Sequence, residues 1–435
     1  MIEAENSMMN SKSVLLPEVI DQVNKIGRAD ILVGIPSFRN ARTIVNVVKN
    51  VSDGLALHFP KLRAVIVNSD GGSEDNTQQV VLKTPVAPQV DKIVTSYQGL
   101  PGKGSAFHTI FEIADRLKVK VCIVVDSDLR SITPDWMRLL GEPVYKHNFG
   151  FVTPYYFRYK YDGTITNSIA YPLTRALYGQ MIRQPIGGEF ALSGSLAKVF
   201  AHQNVWHSDI ARFGIDIWMT TTAVCEGFRV CQASMGVKLH DQKDPGSDLE
   251  PMFRQVVGTA FGMMKKYDVK WQALKGSQPV DLFGESPPEE PESISVNLGR
   301  LMERFGEGVK ERLEVLEKVL APENLTKVKE LLSAGEKDVF RFPDRLWARV
   351  VYDHAVAYNL SDAIDKNEVI SSLLPLYFGR TAGFVLDTEV MGSMQAEKAV
   401  LGAAEVFEEE KPYLIRRWEE AESGSERESG VSRIA

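Results

Sequence analysis

The chain is poor in cysteine and has no excess of basic residues. Its three cysteines, Cys122, Cys225 and Cys231, cannot all pair and show no zinc-binding spacing, which favours a reducing, cytoplasmic location. Lysine and arginine number 50 against 57 aspartates and glutamates, and the net charge of -7 argues against a general nucleic-acid-binding protein. The amino-terminal residues have no apolar signal core, and we find no apolar run long enough to span a bilayer, so no membrane partner is expected.

What the sequence does contain is enough apolar material for a large core. Its 435 residues are 44% hydrophobic and 25% charged, which is ordinary for a water-soluble protein. Apolar runs at residues 31–36, 64–68 and 121–125 alternate with helical patterns of apolar residues. This alternation predicts an α/β fold with a mostly parallel, Rossmann-like sheet and right-handed crossovers.

Composition along the chain predicts five segments. Residues 1–29 form a polar leader, 30–275 an α/β domain, 276–296 a linker rich in proline and glutamate, 297–421 a helical region and 422–435 a disordered tail. Apolar positions in the helical region predict packing against the α/β domain or against a second subunit, so a homodimer is our expectation.

The central feature is a pair of aspartates at the end of an apolar run. Residues 121–125 predict a buried strand, and Asp126 and Asp128 follow it. Side chains two apart on a strand share a side, so both carboxylates are expected to face one spot at the carboxyl end, where open α/β sheets bind ligands. Two hard oxygen donors suit Mg²⁺ or Mn²⁺ carrying a diphosphate. The alternative is an acidic turn, because Asp and Ser are common turn residues.

Two earlier loops also carry candidate residues. Asp70 ends a predicted strand beside two glycines and suits hydrogen bonds to a nucleotide, although turn formation explains it equally. Residues 101–104, Pro-Gly-Lys-Gly, let the backbone approach a phosphate while Lys103 supplies a positive charge. Their spacing is not that of a Walker A loop, and a tight turn with a solvated lysine is the alternative.

Later segments contribute further candidates, each with a structural alternative. Glu189 follows two glycines, and Asp216 begins a predicted helix, where the helix dipole alone favours an acid. His240 follows a predicted strand and, as a neutral imidazole, is a candidate metal ligand, although a lone histidine is usually a surface residue. Arg158 and Thr166 together are candidates for binding a small carboxylate. The alternative for Arg158 is a solvated surface residue, and for Thr166 a helix cap.

In their order along the chain these motifs resemble those of the retaining GT-A nucleotide-sugar glycosyltransferases, in the group of mannosylglycerate, glucosylglycerate and glucosyl-3-phosphoglycerate synthases. The resemblance covers roughly residues 30–400. Residues 36–40 and 68–77 look like the glucosyl-3-phosphoglycerate branch. More similar to the mannosylglycerate branch are residues 125–128, 134–136, 162–166, 184–189 and 214–216, with His240, Trp347, Tyr352 and His354.

The resemblance implies a role for each candidate residue. Residues 30–275 would be the GT-A catalytic domain, with Mg²⁺ or Mn²⁺ bound by Asp128 and His240. The implied catalytic residues are Asp216, Asp128 and Lys103. The implied donor-binding residues are Pro36, Arg39, Asn40, Asp70, Lys103, Asp126, Gly188 and Glu189, and the implied acceptor-binding residues are Arg158, Ile165 and Thr166.

The implied reaction is transfer of a hexose from a nucleoside diphosphate sugar to D-glycerate, which gives glucosylglycerate when the hexose is glucose. Glucose is favoured because the donor half resembles the glucosyl branch. Thr164 stands where the phosphoglycerate enzymes have an arginine for the acceptor phosphate, which argues for unphosphorylated glycerate. Phe213 is a second departure, since the mannosylglycerate enzymes have tryptophan there.

Three alternatives stay open. The first is a mannosylglycerate synthase that uses GDP-mannose. The second is a glucosyl-3-phosphoglycerate synthase in which Arg158, Lys160 and Arg175 replace the missing arginine. The third is a non-catalytic nucleotide-sugar-binding protein whose helical region binds a partner, against which the intact aspartate pair counts. Transfer to a polyprenyl phosphate is disfavoured, because no amphipathic membrane anchor is evident.

Overall fold

The structure, a computed structural model, describes residues 13–239, 249–287, 289–333 and 340–429, with side chains up to residue 423. The chain divides into two units, each built from three separate stretches of sequence. The sheet unit comprises Met1–Phe157, Gln184–Asp241 and Val280–Glu289, and the helical unit comprises Arg158–Arg183, Gln242–Pro279 and Glu290–Ala435. The predicted boundaries at residues 275 and 297 do not show this division, because composition changes along the chain cannot reveal a segment that leaves one unit and returns.

The sheet unit is organised around eight strands. They are β1 (Ile31–Ser37), β2 (Ala64–Asp70), β3 (Val90–Ser96), β4 (Val121–Val124), β5 (Phe151–Phe157), β6 (Phe190–Ser193), β7 (Val230–Val237) and β8 (Asp281–Phe283). Their order in the sheet is β3-β2-β1-β4-β6-β5-β7-β8. All neighbours are parallel except that β6 runs antiparallel to β4 and β5.

Helices cover the sheet and form the second unit. The sheet unit first contributes α1 (Pro17–Ile26), α2 (Ile44–His58), α3 (Thr77–Lys83), α4 (Lys103–Arg116) and α5 (Asp135–His147). The next helix, α6 (Tyr171–Tyr178), belongs to the helical unit. The sheet unit then contributes α7 (Gly194–Ala201) and α8 (Ile215–Cys225). The helical unit continues with α9 (Glu250–Lys266), α10 (Asp268–Ala273), α11 (Leu298–Glu311), α12 (Leu313–Val319), α13 (Pro322–Ser333), α14 (Asp344–Leu360), α15 (Lys366–Thr388), α16 (Ser393–Glu409) and α17 (Lys411–Ser429).

The central strands are apolar because both faces of the sheet are covered. Strands β1 and β2 are buried at all seven positions, as expected for parallel strands with helices on both sides. Strand β3, near one edge, alternates between buried and more exposed positions. The predicted fold class is therefore confirmed: a mostly parallel α/β sheet followed by a helical carboxyl-terminal region.

An aromatic cluster joins the helices α4, α7 and α8 of the sheet unit. The ring of Phe200 lies 5.6 Å from Phe111 of α4 and 4.7 Å from Trp218 of α8. Trp206 packs against Trp218 at 5.6 Å and stacks on His108 of α4 at 4.2 Å. Because aromatic side chains bury large rigid surfaces, this cluster fixes α4 and α8 relative to each other.

Helix α15 corrects one expectation from the sequence. By length and composition this 23-residue helix is apolar enough to cross a membrane, whereas we found no apolar run of that length. The run was not apparent because Ser371, Ser372 and Arg380 interrupt it. In the structure 89% of its most apolar window is buried, as in a core helix of the helical unit.

Two predicted boundaries also differ from the structure. The predicted linker at 276–296 contains β8, which pairs with β7 and extends the sheet. The predicted disordered tail from residue 422 overlaps α17, which ends at Ser429. The polar composition that suggested disorder is equally that of an exposed helix. Within the predicted leader, α1 is present, and residues 1–12 lie outside the described residues.

The partly buried histidine of α4, His108, predicts loss of stability in mild acid. Burial lowers the pKa of His108 to about 4, whereas an unfolded histidine titrates at about 6.5. Between these values the unfolded chain binds the proton and the folded chain does not, so stability falls as the pH falls from about 6.5 toward 4. The free energy of unfolding, measured in urea, should fall between pH 7 and pH 5. We expect this fall to be about 1–2 kcal/mol smaller for His108→Phe, which keeps an aromatic ring, than for the wild type.

The matched control is His207→Phe, because His207 is exposed. It should show the wild-type pH dependence. Identical pH dependence of His108→Phe and the wild type would contradict the assignment.

Candidate active site

The antiparallel strand β6 brings two separate loops together at one edge of the sheet. In the β4–β6 pair, Val124 lies opposite Phe190, so the end of β4 meets the start of β6. Asp126 lies two residues beyond β4, and Gly188 and Glu189 directly precede β6. The parallel neighbours end at the same edge, which is where open α/β sheets bind ligands.

Lys103, the first residue of α4, lies among the acidic groups at this edge. Its Nζ is 2.8 Å from Asp126 Oδ1 and 3.4 Å from Asp216 Oδ2, and it lies 3.3 Å from the carbonyl oxygen of Gly188. Asp216 is in the first turn of α8, where the helix dipole favours a carboxylate. The structure therefore brings together Lys103, Asp126, Gly188 and Asp216, four of the residues that the sequence nominated.

A second lysine completes the cluster, and sequence reasoning missed it. Lys238, directly after β7, places its Nζ 2.8 Å from Glu189 Oε2, 3.5 Å from Asp126 Oδ2 and 2.9 Å from the Gly187 carbonyl oxygen. The hydroxyl of Tyr156 donates to Glu189 Oε2 at 2.7 Å. The available signal was a lysine immediately after an apolar strand, at the ligand-binding end of a parallel sheet.

Burial and neighbouring opposite charges shift the pKa values of these groups in different directions. Burial raises the pKa of Glu189 and of Asp216 above that of an ordinary carboxyl. Burial also opposes ionisation of Asp126, but the ammonium groups of Lys103 and Lys238 outweigh it and hold its pKa well below the usual range. Likewise, burial lowers the pKa of Lys103, but Asp126 and Asp216 more than reverse this, so the pKa ends above its usual value.

Gly188 is required for the close approach of these groups. Its φ angle of +101° is one that L side chains rarely adopt, and a Cβ there would lie 2.5 Å from Asp126 Oδ2 and 2.9 Å from Lys238 Nζ. The glycine loop 187–188 also presents its two carbonyl oxygens to the two lysines. The Gly-Gly-Glu segment is therefore part of the site through its backbone.

The glycines beside Lys103 have a packing role that the sequence did not reveal. A Cβ on Gly104 would lie 1.9 Å from the carbonyl oxygen of Ile210, and one on Gly102 would lie 2.6 Å from that of Ala211. The NH of Gly104 donates to the Arg212 carbonyl oxygen at 3.2 Å. The absence of side chains thus allows close packing against residues 210–212, which is an alternative to the predicted approach to a phosphate.

The expected strand geometry of Asp126 and Asp128 is wrong. Strand β4 ends at Val124, and Asp128 lies in a turn four residues beyond it, so alternation along a strand does not relate the two carboxylates. The turn is anchored by Ser127, whose Oγ donates to Asn40 Oδ1 at 2.8 Å. The apolar run predicted a longer strand because Val125 is also buried.

His240, the second predicted metal ligand, lies outside the described residues. The residue before it is described. The NH of Leu239 donates to Ser131 Oγ at 3.0 Å, and its carbonyl oxygen accepts from the NH of Arg130 at 2.9 Å. Leu239 therefore lies beside the segment that follows Asp128.

Asp70 is fully buried at the end of β2, and its carboxylate is engaged within the protein. It accepts hydrogen bonds from Ser37 Oγ at 2.6 Å, from the NH of Ser73 at 2.7 Å and its Oγ at 2.8 Å, from the NH of Gly72 at 3.0 Å and from Gln78 Nε2 at 3.2 Å. This network supports turn formation as the role of Asp70. Contact with a nucleotide stays a prediction.

The other predicted donor-binding residues surround the end of β1. Pro36 is buried in the strand, and Arg39 is exposed with a φ of 58°. The side chain of Asn40 accepts from the NH of Phe38 at 2.9 Å. The side chain of Asn40 does not cap α2, but its main-chain carbonyl oxygen accepts from the NH of Ile44, the first residue of the helix.

The predicted acceptor-binding residues belong to the helical unit. Arg158 and Thr166 both lie close to Gly163, because a Cβ there would be 3.0 Å from Arg158 Nη1 and 3.7 Å from Thr166 Oγ1. Arg158 Nη1 is also 3.7 Å from Asp162 Oδ2. Ile165 and Thr166 are both buried, and Thr166 begins a π-helical turn, Thr166–Ala170.

The chemistry of the sheet-unit cluster fits a hard divalent cation. In the part of the chain that the structure describes, no group of three or more histidines, cysteines, aspartates and glutamates forms a complete metal site. Carboxylate oxygens are nevertheless the ligands that Mg²⁺ and Mn²⁺ prefer. The buried Oδ1 of Asp216 has no hydrogen-bond partner among the described residues, and the side chain of Asp126 is 26% exposed. These oxygens are suited to a cation that reaches the cluster from solvent.

Comparisons with known proteins find similar solved structures. The chain matches no protein-family model and no curated protein. Glucosyl-3-phosphoglycerate synthase from Mycobacterium tuberculosis, in complex with Mn²⁺, UDP and phosphoglyceric acid, is 22% identical with a TM-score of 0.43, over 59% of this chain and 84% of that one. The same enzyme with Mn²⁺, UDP-glucose and glycerol 3-phosphate is 21% identical with a TM-score of 0.42, over 58% and 86%. A mycobacterial protein is 23% identical with a TM-score of 0.42, over 58% and 80%.

The crowding at Gly188 predicts a large effect of a single methyl group. We expect Gly188→Ala to destabilise the protein by about 1–3 kcal/mol more than Gly227→Ala, measured by urea unfolding. Gly227 is the matched control because it has a φ of +79° but no atom within 4 Å of an added Cβ. It therefore measures the backbone cost alone, about 1 kcal/mol. Equal costs for the two variants would contradict the close packing of Gly188 against Asp126 and Lys238.

The buried Lys238–Glu189 pair predicts a pH-dependent double-mutant cycle. We expect Lys238→Met to cost about 3–5 kcal/mol near pH 7.5, because it removes an ammonium group from a fully buried carboxylate. The cost should shrink as the pH is lowered, because burial raises the pKa of Glu189 and a protonated carboxyl needs no partner cation. Urea unfolding over a series of pH values from 7.5 downward measures both effects.

The double variant Lys238→Met with Glu189→Gln is the control for this cycle. It should recover most of the lost stability, since no buried charge is left without a partner. Additive costs, or a cost of Lys238→Met that is independent of pH, would show that the pair is not coupled.

Proposed function

We propose that the protein is a metal-dependent retaining glycosyltransferase of the GT-A type that transfers glucose from a nucleoside diphosphate sugar to D-glycerate. The observation that carries the proposal is the cluster of Lys103, Asp126, Glu189, Asp216 and Lys238 at the carboxyl edge of the sheet. It offers carboxylate oxygens to a cation and ammonium groups to a diphosphate. Such a mixed set suits a donor whose leaving group carries both negative charge and a metal ion.

Each group of the cluster has a role in the proposed reaction. Asp128 and His240 would hold the divalent cation, with Asp126 at the donor's ribose or in the metal shell, and the cation would supply positive charge to the leaving diphosphate. Lys103 contributes further positive charge at the same place. Asp216, with its unpartnered buried oxygen, orients the transferred sugar or the acceptor hydroxyl.

The fixed position of Glu189 supports attack on the same face of the sugar without a covalent intermediate. Both of its carboxylate oxygens accept from Lys238, and Tyr156 donates to one of them. A fully buried carboxylate held in this way is a poor nucleophile. We therefore assign the acceptor proton to the leaving phosphate oxygen.

The helical unit supports an unphosphorylated acceptor. Thr164, where an arginine would contact an acceptor phosphate, is buried and shares a hydrogen bond with the hydroxyl of Tyr377. Two of the basic residues considered as replacements are engaged elsewhere. Lys160 donates to the carbonyl oxygens of residues 388, 389 and 391, and Arg175 is bonded to Ser277 and Glu408. These contacts favour D-glycerate over 3-phosphoglycerate, the acceptor implied by the names of the similar solved structures.

The test is a transfer assay that crosses two acceptors with four donors in the presence of Mn²⁺. The acceptors are D-glycerate and 3-phosphoglycerate, and the donors are UDP-glucose, ADP-glucose, GDP-glucose and GDP-mannose. We expect a glucosyl donor with D-glycerate to give product and chelation of the metal to abolish it. Product only with 3-phosphoglycerate, or only from GDP-mannose, would establish one of the two alternative enzymes instead. No product from any pair would contradict the proposal.

In the productive pair, Asp128→Ala should reduce transfer at least about 100-fold, because a carboxylate ligand of the cation is lost. Asp91→Ala is the control, since Asp91 is exposed on the edge strand β3. Full activity of Asp128→Ala in Mn²⁺ would show that the metal assignment is wrong.

A further inference from the structure

The two lysines of the cluster are held in different ways. Lys238 is 5% exposed, and its Nζ contacts both oxygens of Glu189 and the Gly187 carbonyl oxygen within 3.0 Å. Lys103 is 14% exposed and has one close partner, Asp126 at 2.8 Å; its contacts with Asp216 and Gly188 are 3.3 Å or longer. Lys238 is therefore fixed in the core, whereas Lys103 can exchange its main partner at low cost.

The carboxylate of Asp126 faces an ammonium group on each side. Lys103 Nζ contacts Oδ1, and Lys238 Nζ lies 3.5 Å from Oδ2. A cation that approaches Asp126 must therefore displace or tolerate a positive charge. At a separation of about 4 Å and with partial burial, this repulsion should lower the affinity for the cation by several-fold to several-hundred-fold.

We propose that Lys103 occupies Asp126 in the donor-free protein and transfers to the diphosphate when the donor binds, which leaves Asp126 to the cation. The inference rests on the proposed function and concerns the regulation of the same site. Lys103 is the residue that couples the two binding events. The anionic diphosphate gives its ammonium group an alternative partner, and the vacated carboxylate oxygen then favours the cation.

Because Lys238 is held in place, Lys103 is the lysine that moves when the donor binds. Lys238 keeps its partners Glu189 and Gly187 when Lys103 moves, so the cluster retains one buried ammonium group. Glu189 and Asp126 therefore keep Lys238 as a partner cation when Lys103 moves. In the absence of nucleotide, the protein should bind free divalent cations weakly.

The experiment measures Mn²⁺ binding by the loss of the free-ion electron paramagnetic resonance signal, without any sugar donor. Wild-type protein and Lys103→Met are titrated alone and with saturating UDP or GDP. We expect Lys103→Met to bind Mn²⁺ alone at least about 10-fold more tightly than the wild type, because the competing ammonium group is absent. The enhancement of Mn²⁺ affinity by the nucleotide should be correspondingly smaller in the variant.

Two control variants separate this effect from a general change of charge. Lys103→Arg keeps a cation at the position and should bind Mn²⁺ as weakly as the wild type. Lys118→Met removes a 67%-exposed lysine just beyond α4 and should leave Mn²⁺ binding unchanged. Lys103→Met combined with Asp126→Asn should lose the gained affinity, which would show that Asp126 is the carboxylate involved. Circular dichroism checks that each variant is folded, and Lys103→Gln provides a second neutral substitution.

The possible failures are distinguishable. If Lys103→Met and Lys103→Gln bind Mn²⁺ no more tightly than the wild type while the wild type transfers sugar, the coupling role of Lys103 is overturned and the proposed function stands. If no variant binds Mn²⁺ even with nucleotide, both proposals are overturned. Tighter binding by Lys103→Arg as well would overturn the role of charge at this position.

Discussion

The candidate site depends on the contact of one carboxylate with two buried lysines. Asp126 lies between Lys103 and Lys238, which come from the start of α4 and the end of β7. Ionised groups are costly to bury unless each has a partner. The two lysines therefore require Asp126, Glu189 and Asp216, and the carboxylates require the lysines. This mutual requirement holds five separate segments of the chain at one edge of the sheet.

The sheet topology makes this contact possible. Strand β6 is antiparallel to its neighbours, so its amino end lies at the edge where the parallel strands end. The Gly-Gly-Glu segment before β6 is thereby placed opposite Asp126, and glycine at position 188 allows the approach. The aromatic cluster around Phe200 and Trp218 then fixes α4 and α8, which carry Lys103 and Asp216. Core packing and site geometry are thus parts of one arrangement.

Part of the site followed from local sequence alone. Asp126, Glu189 and Asp216 were nominated because each ends a strand, follows glycines or begins a helix, and Lys103 because it lies between two glycines. The strand prediction was wrong at Asp128, because β4 ends at Val124. The glycines beside Lys103 pack against residues 210–212, and their approach to a phosphate stays a prediction. Lys238 was missed because a single lysine after a strand has no distinguishing spacing. Its importance arises from burial beside Glu189, 49 residues away in the chain.

The sequence by itself determined the fold class and the positions of β1, β2 and β4, because burial on both faces of a sheet demands continuous apolar runs that are visible without coordinates. It also determined which residue types stand at the ends of those runs. Only the tertiary structure decided which of them meet and how the chain divides into two units. The charge pairs, the close backbone contacts and the antiparallel position of β6 all join residues that are far apart in the sequence. Local sequence patterns therefore do not predict them.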